Sequence, residues 1–406
     1  MNPTEVSEPG RKASGQFMKP LLPLALATFA VGTDAFVIAG LLPAIAADFD
    51  VSIAAAGQLV TAFALTFAVT APVLGWLLSP LDRRTALQLA LVVFTVGNAV
   101  TALSPNYELA LFSRVLTAVG AATITATASS AAVAVTPEER RGRAMAFVIG
   151  GLTVSTALGM PFGNMIGHVD WRLTLWAVAA LGVIAAIGTS VGLPKITLPA
   201  TSLGARLAPL RQPRMIVTLL ATLLVMGGHY MVYTYIGAVT ADATAGTFTQ
   251  ALTLILLAWG IGAVVGNLLA GYLVDSLPTI RVAVAALAAA TVLLAISPLA
   301  VNNLAVVIVW AAIWGVTDGA PSVIQQYRLV SFAPASAPVL FGLNSSAVFL
   351  GVALGGGLGG IAQDWLPVTS LGLPAAVLAL VATTLTVVHG KRARTETSPE
   401  AAPAGR

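Results

Sequence analysis

Two carboxylates stand inside stretches that are otherwise apolar. Asp34 lies within Thr33-Asp34-Ala35-Phe36-Val37-Ile38-Ala39-Gly40-Leu41-Leu42-Pro43, and Asp318 within Trp314-Gly315-Val316-Thr317-Asp318-Gly319. A carboxyl in such surroundings can carry a proton when neutral and pair with a cation when ionised. Arg114 stands in a third apolar stretch, Leu111-Phe112-Ser113-Arg114-Val115-Leu116-Thr117. An Arg in mid-span costs at least about 2.5–3.5 kcal/mol, so it is expected to face a partner or water. Asp34 is the candidate partner, and an Arg that instead reaches the interface beside Glu108 is the alternative. His229 and Tyr233, in Gly228-His229-Tyr230-Met231-Val232-Tyr233-Thr234-Tyr235, are four apart and share a helix face. A His there can hydrogen-bond a substrate or relay protons, or simply pack. Gln325, Gln326 and Asn344 are further polar candidates for holding a small molecule. The chain has no Cys, which excludes disulfides, thiolate metal sites and a Cys nucleophile. No metal cluster, catalytic triad or cofactor motif is visible. Gly355-Gly356-Gly357-Leu358-Gly359-Gly360 lacks the Lys-Ser/Thr ending of a phosphate loop and reads as close helix packing.

The elements that position these residues follow from composition. Of 406 residues, 57% are hydrophobic and 9% charged, against about 25% charged in an average soluble domain. Mean hydropathy is +0.91. A soluble monomer cannot hide so much apolar surface. A soluble enzyme, a nucleic-acid-binding domain and a disordered chain are excluded; a polytopic membrane protein in a lipid bilayer remains. A crossing helix needs about 20 apolar residues. Twelve candidates are expected, at 20–42, 53–78, 86–103, 108–133, 144–167, 172–193, 215–240, 248–274, 282–298, 304–331, 338–362 and 370–389. Runs such as 86–100 are apolar all round, which excludes barrel strands. Residues 194–214, with four Pro, read as a cytoplasmic linker between a six-helix half at 20–193 and another at 215–389, with tails at 1–19 and 390–406. Ala44-Ile45-Ala46 resembles a signal cleavage site, but the apolar stretch before it is too long and contains Asp34.

Basic residues set the orientation. With both termini in the cytoplasm, the inner side receives Arg11, Lys12 and Lys19; Arg83 and Arg84; Arg140, Arg141 and Arg143; Lys195, Arg206, Arg211 and Arg214; Arg281; Arg328; and Lys391, Arg392, Arg394 and Arg406. Only Arg172 falls outside. The net charge of +4 is therefore topological and calls for no nucleic acid. Shifting the chain by about 196 residues places Gly75 on Gly271, Gly159 on Gly355 and Gly163 on Gly359, the mark of an internal repeat. Parallel six-helix repeats about an axis normal to the membrane are a known transporter architecture.

Several motifs resemble those of the major facilitator superfamily, in the twelve-helix drug:proton antiporter group that includes chloramphenicol-type and arabinose-type efflux permeases. The loop Gly75-Trp76-Leu77-Leu78-Ser79-Pro80-Leu81-Asp82-Arg83-Arg84 is similar to the pattern G-x-L-a-D-r-x-G-R-[RK]. Ser79 replaces the family's Asp, with Asp82 the candidate substitute, and Gly271-Tyr272-Leu273-Val274-Asp275 is the second copy. The resemblance implies a latch that shuts the cytoplasmic side. Arg114 through Ala122 is similar to l-x-x-R-x-x-q-G-x-g-A-A, with Thr117 for Gln and Ala118 for Gly. Gly150-Gly151 through Gly159-Met160-Pro161-Phe162-Gly163 resembles the antiporter motif, which implies that this helix packs between the halves. The group also resembles this chain in an acidic residue at the position of Asp34 and in a G-H-x-x-x-Y-T-Y pattern. The implied function is export of a small drug-like molecule in exchange for protons by alternating access in a bacterial inner membrane, without enzyme chemistry. Asp34 and Arg114 would couple protons; His229, Tyr233, Asp318, Gln325 and Asn344 would bind substrate; Gly75, Asp82, Arg83, Arg84, Gly159, Pro161, Gly163, Gly271 and Asp275 would gate. The alternatives are a sugar or metabolite efflux permease and a passive facilitator without proton coupling. Nothing in the sequence requires more than a monomer.

Overall fold

Helices begin where a short polar side chain can accept a hydrogen bond from an orphaned N–H of the first turn. Ser52, Asp82, Asn106, Asp170 and Asn303 all do so, each at a turn between apolar runs. The computed structural model describes residues 20–78, 80–197, 204, 208–247 and 250–397. The tail at 1–19, Ser79, much of the linker and the last residues of the chain lie outside the described residues.

Among the described residues, twelve helices have 17 residues or more: α1, Leu21–Asp48; α2, Ile53–Leu77; α3, Arg83–Leu103; α4, Tyr107–Ala134; α5, Glu138–Gly167; α6, Trp171–Gly192; α7, Pro213–Tyr233; α8, Ala251–Ser276; α9, Thr279–Ala295; α10, Leu304–Phe332; α11, Ala337–Ala362; and α12, Gly372–Thr397. Among the described residues, eleven helices are long and apolar enough to cross a membrane. The exception is α9, whose 17 residues span about 26 Å against a hydrocarbon core of about 30 Å. No strand occurs among the described residues. The molecule is an all-helical membrane protein, and short connections make successive helices antiparallel.

Three helices depart from expectation. The first continues through Pro43 to Asp48 rather than ending near 42. The seventh, expected to 240, ends at Tyr233 and is followed by single turns at Ile236–Val239 and Ala241–Thr244. Tyr235 leaves the helix to bury its ring, and its hydroxyl donates to the Gly356 carbonyl of α11 at 2.7 Å. The fifth contains a π-turn, Ser155–Gly159, immediately before Pro161. Proline has no N–H to give, and the wider turn absorbs the break.

The packing repeats along the chain. In the first six helices, α1 packs on α4, α5 and α6, α2 on α4, and α3 on α4 and α6. Six helices later, α7 packs on α10, α11 and α12, α8 on α10, and α9 on α10 and α12. The two sets meet chiefly where α2 lies on α11 and where α5 lies on α8, and a six-helix shift exchanges these two seams. Small residues make the approach possible: a side chain at Gly351 or Gly355 of α11 would strike the backbone of α7, and one at Gly260 of α8 the Thr156 carbonyl of the π-turn.

Candidate functional site

Asp34 is held by α1 and Arg114 by α4, and both are fully buried. The Arg114 Nη1 donates to Asp34 Oδ1 at 2.8 Å, and Nη2 reaches the Asp34 carbonyl at 3.4 Å. Arg114 therefore faces the carboxylate and does not reach the interface. Its guanidinium carbon lies 4.5 Å from the ring centre of Phe63 on α2. Phe63 and Phe67 in turn meet Phe349 of α11, the latter pair stacked at 3.8 Å. The ion pair is thus packed directly behind one of the two seams. Asp34 Oδ2 and Arg114 Nε have no hydrogen-bond partner. Buried polar atoms are usually satisfied, so Oδ2 is a vacant acceptor beside a fixed positive charge.

A second cluster forms around α7 and α10. His229 and Tyr233 share a face, as their spacing predicts, and both meet Trp314. His229 Nδ1 lies 2.9 Å from the Val225 carbonyl and Nε2 3.4 Å from Thr317 Oγ1. The carbonyl requires Nδ1 to be the donor, so a neutral ring leaves Nε2 as acceptor. Thr317 has one proton to give and also lies 2.8 Å from the Trp314 carbonyl. Tyr233 donates to the Phe36 carbonyl of α1 at 3.1 Å and also meets Met160 Sδ of α5. Its ring stands 4.4 Å from Trp259 of α8. This one side chain therefore touches both six-helix sets. Asp318 lies one turn from Trp314, is 9% exposed, and its Oδ1 has no partner.

Gln325 and Asn344 do not join this cluster. Gln325 lies seven residues along α10 from Asp318, a rise of about 10 Å. Gln325 Oε1 accepts from Arg328 at 2.6 Å, while its Nε2 is unpaired. Asn344 accepts from Thr222 at 3.2 Å and donates to the Ser322 carbonyl at 3.4 Å. The substrate candidates thus occupy two polar layers. Sequence reasoning missed Tyr230, Trp259, Trp314 and Thr317. Trp314 and Asp318, four apart on one face, carried a readable signal; Trp259 carried none.

The motif residues are placed less symmetrically. Asp82 caps α3, accepting from the Thr85 hydroxyl at 2.5 Å and from its N–H at 3.1 Å. Those bonds, the hydroxyl's first, hold its carboxyl below the usual range, with further help from Lys195. Arg84 donates to the Ser190 carbonyl of α6, and the Arg83 N–H to the Ile196 carbonyl at 2.7 Å. These hydrogen bonds stay within the first six helices and the start of the linker. Gly75 sits near the end of α2. Gly271 has open space where a side chain would stand, and Asp275 accepts from Tyr327 of α10 at 3.1 Å. Gly159 and Gly163 pack on Thr33 and Val37 of α1, not on the other set of helices. The seam with α8 is made by the π-turn that precedes Pro161 and by the segment after it, where Asn164 Oδ1 accepts from the Thr253 hydroxyl at 2.9 Å.

No group of three or more His, Cys, Asp or Glu that could hold a metal occurs among the described residues. The family model described as Major Facilitator Superfamily matches residues 24–356. The chain is 35% identical over 348 residues to the inner membrane transport protein YdhP of Escherichia coli (strain K12), covering 84% of this chain and 88% of that protein. It is 30% identical over 372 residues to the uncharacterized MFS-type transporter YbcL of Bacillus subtilis (strain 168), covering 89% and 94%. It is 35% identical over 272 residues to a chloramphenicol resistance protein of Streptomyces lividans, covering 66% and 69%.

Proposed function

The chain belongs to the Major Facilitator Superfamily, and from that premise we propose that it exports a small drug-like molecule in exchange for protons by alternating access of two six-helix halves. Membership makes it a transporter and not an enzyme, and its place is the bacterial inner membrane. The observation that carries the reading is the buried Asp34–Arg114 pair with Oδ2 unpaired. A proton on Oδ2 neutralises the carboxylate and releases Arg114 from its ion pair. The freed guanidinium shifts on the Phe63 ring that it already contacts, and the movement reaches α11 through Phe349. Loss of the proton to the other side restores the pair. One proton moving through 100 mV supplies about 2.3 kcal/mol, enough for a roughly 50-fold substrate gradient.

The division at 20–193 and 215–389 is supported by the packing that recurs after six helices. Twelve crossings with both termini in the cytoplasm are supported by the basic loops, with α9 crossing as a short span that thins the bilayer locally. The seams at the Tyr235 and π-turn levels then close the outer side. The molecule works as a monomer, with the bilayer and protons as its other partners. The chloramphenicol resistance relative favours a drug-like substrate over a sugar. The test is chloramphenicol accumulation in energised cells expressing the chain. Accumulation several-fold below that of control cells, restored by an uncoupler, supports proton-driven export. Export unaffected by the uncoupler indicates another energy source, and faster equilibration without net export indicates a facilitator.

A further inference from the structure

Gln325 and Arg328 form a buried polar pair that the coupling scheme leaves unused. Arg328 stands four residues, about 6 Å, from the end of α10, and only 6% of it is exposed. Its Nη1 donates to Gln325 Oε1 at 2.6 Å. Gln325 precedes it by three residues, so the guanidinium is folded back into the bundle and does not run out toward the end of the helix. A guanidinium can only donate, so the amide oxygen must face it, and this fixes Nε2 as a donor too. That Nε2 is buried without an acceptor, in a side chain that is 1% exposed. Arg328 carries five N–H donors, and Gln325 Oε1 is their one protein acceptor among the described residues. No carboxylate pairs with it: among the described residues the ion pairs are Asp34–Arg114 and Asp48–Arg172. Asp275 of α8 accepts instead from the neighbouring Tyr327. Asn344, the other amide of this layer, is engaged by Thr222 and the Ser322 carbonyl. Arg214 of α7 adds a second guanidinium, 5.0 Å from the ring centre of Phe332, which lies one turn beyond Arg328.

Water would satisfy these donors but not the charge, and a buried cation without a counter-charge is costly. A cation would be repelled, and a neutral acceptor would leave the charge unmatched. An oxyanion meets both needs, because carboxylate and phosphate oxygens accept two parallel N–H bonds from one guanidinium. We propose that Arg328 and Gln325 are a binding site for the carboxylate or phosphate group of an anion, held in the guanidinium fork with the amide Nε2 as a further donor. Gln325 lies about 10 Å along α10 from Asp318, and the Asp34–Arg114 pair belongs to the other six-helix set. The site therefore stands whichever molecule is exported and whether or not protons drive it.

Two probes carry the group, radiolabelled inorganic phosphate and phosphatidylglycerol. Binding to the purified full-length protein in detergent is read by equilibrium dialysis for the first and by native mass spectrometry for the second. Wild type binds at least one of them. Arg328→Met weakens that binding at least about 10-fold, the loss expected when a charge-assisted hydrogen bond is removed. Gln325→Glu weakens it as much for the opposite reason: a carboxylate of nearly the same size beside Arg328 supplies the counter-ion from within the chain. Gln325→Glu should therefore melt no lower than wild type, which separates lost binding from misfolding, and the bound probe should raise the melting temperature of wild type alone. Phosphatidylglycerol retained by wild type in preference to phosphatidylcholine, and lost from Gln325→Glu, makes the occupant a lipid headgroup. Phosphate binding that the variants lose, with equal lipid retention in all three proteins, makes it a free anion. Binding of neither probe by wild type, equal binding by wild type and both variants, or a Gln325→Glu protein less stable than wild type overturns the proposal.

Discussion

Removing one partner of the Asp34–Arg114 pair should cost more on one side than on the other. Both side chains are fully buried, and stranding a buried charge typically costs about 3–5 kcal/mol. Asp34→Ala strands a guanidinium, which cannot discharge itself at any accessible pH. Arg114→Met strands a carboxylate, which can take up a proton on Oδ2 or Oδ1 and so avoid part of the cost. Asp34→Ala is therefore expected to lose about 3–5 kcal/mol and Arg114→Met less. The double variant contains no unpaired charge and should be more stable than Asp34→Ala alone. The contact of Arg114 with Phe63, at 4.5 Å, is absent from both variants that carry Met and so drops out of the cycle. The assay is reversible unfolding in mixed micelles, followed by tryptophan fluorescence, on wild type, both single variants and the double. A coupling energy of at least about 2 kcal/mol is expected for groups in direct contact. Single costs that add to within about 0.5 kcal/mol, or a larger loss from Arg114→Met than from Asp34→Ala, would refute the reasoning.

Other outcomes follow from particular contacts. Gly351→Val would drive a side chain into the Leu223 carbonyl and Met226 Cβ, at 2.5 and 2.6 Å from the added Cβ. It should destabilise the fold by about 1–3 kcal/mol, whereas Gly271→Ala, which meets nothing within 4 Å, should stay within about 0.5 kcal/mol of wild type; melting curves in detergent distinguish them. Tyr235→Phe removes the bond to Gly356 and should loosen the α2–α11 seam by about 0.5–1.5 kcal/mol. Because the chain has no Cys, maleimide labelling of a single Gln58→Cys reports this as a several-fold faster reaction. Asp82→Ala should cost about 0.5–2 kcal/mol through the lost cap of α3. The Asp82 carboxyl is held below its ordinary range in the folded state, chiefly by the Thr85 hydroxyl. Its contribution is complete above the unfolded value of about 3.9 and fades as pH falls through the lower folded value. Protection of the Thr85 amide, taken relative to its intrinsic exchange rate at each pH, should therefore fall only in strong acid, and in Asp82→Ala should be low at all pH values.

Much of the fold was legible because membrane helices announce themselves. Long apolar runs mark the helices, and five of the twelve start at a local cap, Ser52, Asp82, Asn106, Asp170 or Asn303. The ends were harder. The first span, expected over 20–42, continues through Pro43 to Asp48, and Tyr235 leaves α7 for a tertiary contact that no local pattern encodes. The Asp34–Arg114 pairing was readable because two charges in apolar runs have few other partners. The clustering of His229, Tyr233 and Asp318 followed in part from helical spacing. Gln325 stands about 10 Å along α10 from Asp318 by helix rise alone, whereas the position of Asn344 depends on how α7, α10 and α11 assemble. The direction of Gly159 and Gly163 was also tertiary: a glycine stripe declares close packing without naming the neighbour, and the neighbour is α1.

Proton movement in energised inverted membrane vesicles tests the central claim most directly. Lumenal pH is followed with a quenching dye while chloramphenicol is added to wild type and to Asp34→Asn. Substrate-induced proton release is expected in wild type and should be absent in Asp34→Asn, although the variant still binds substrate. Equal proton release from both proteins, or substrate flux through wild type with no proton movement, would contradict the assignment of Asp34 as the coupling carboxylate.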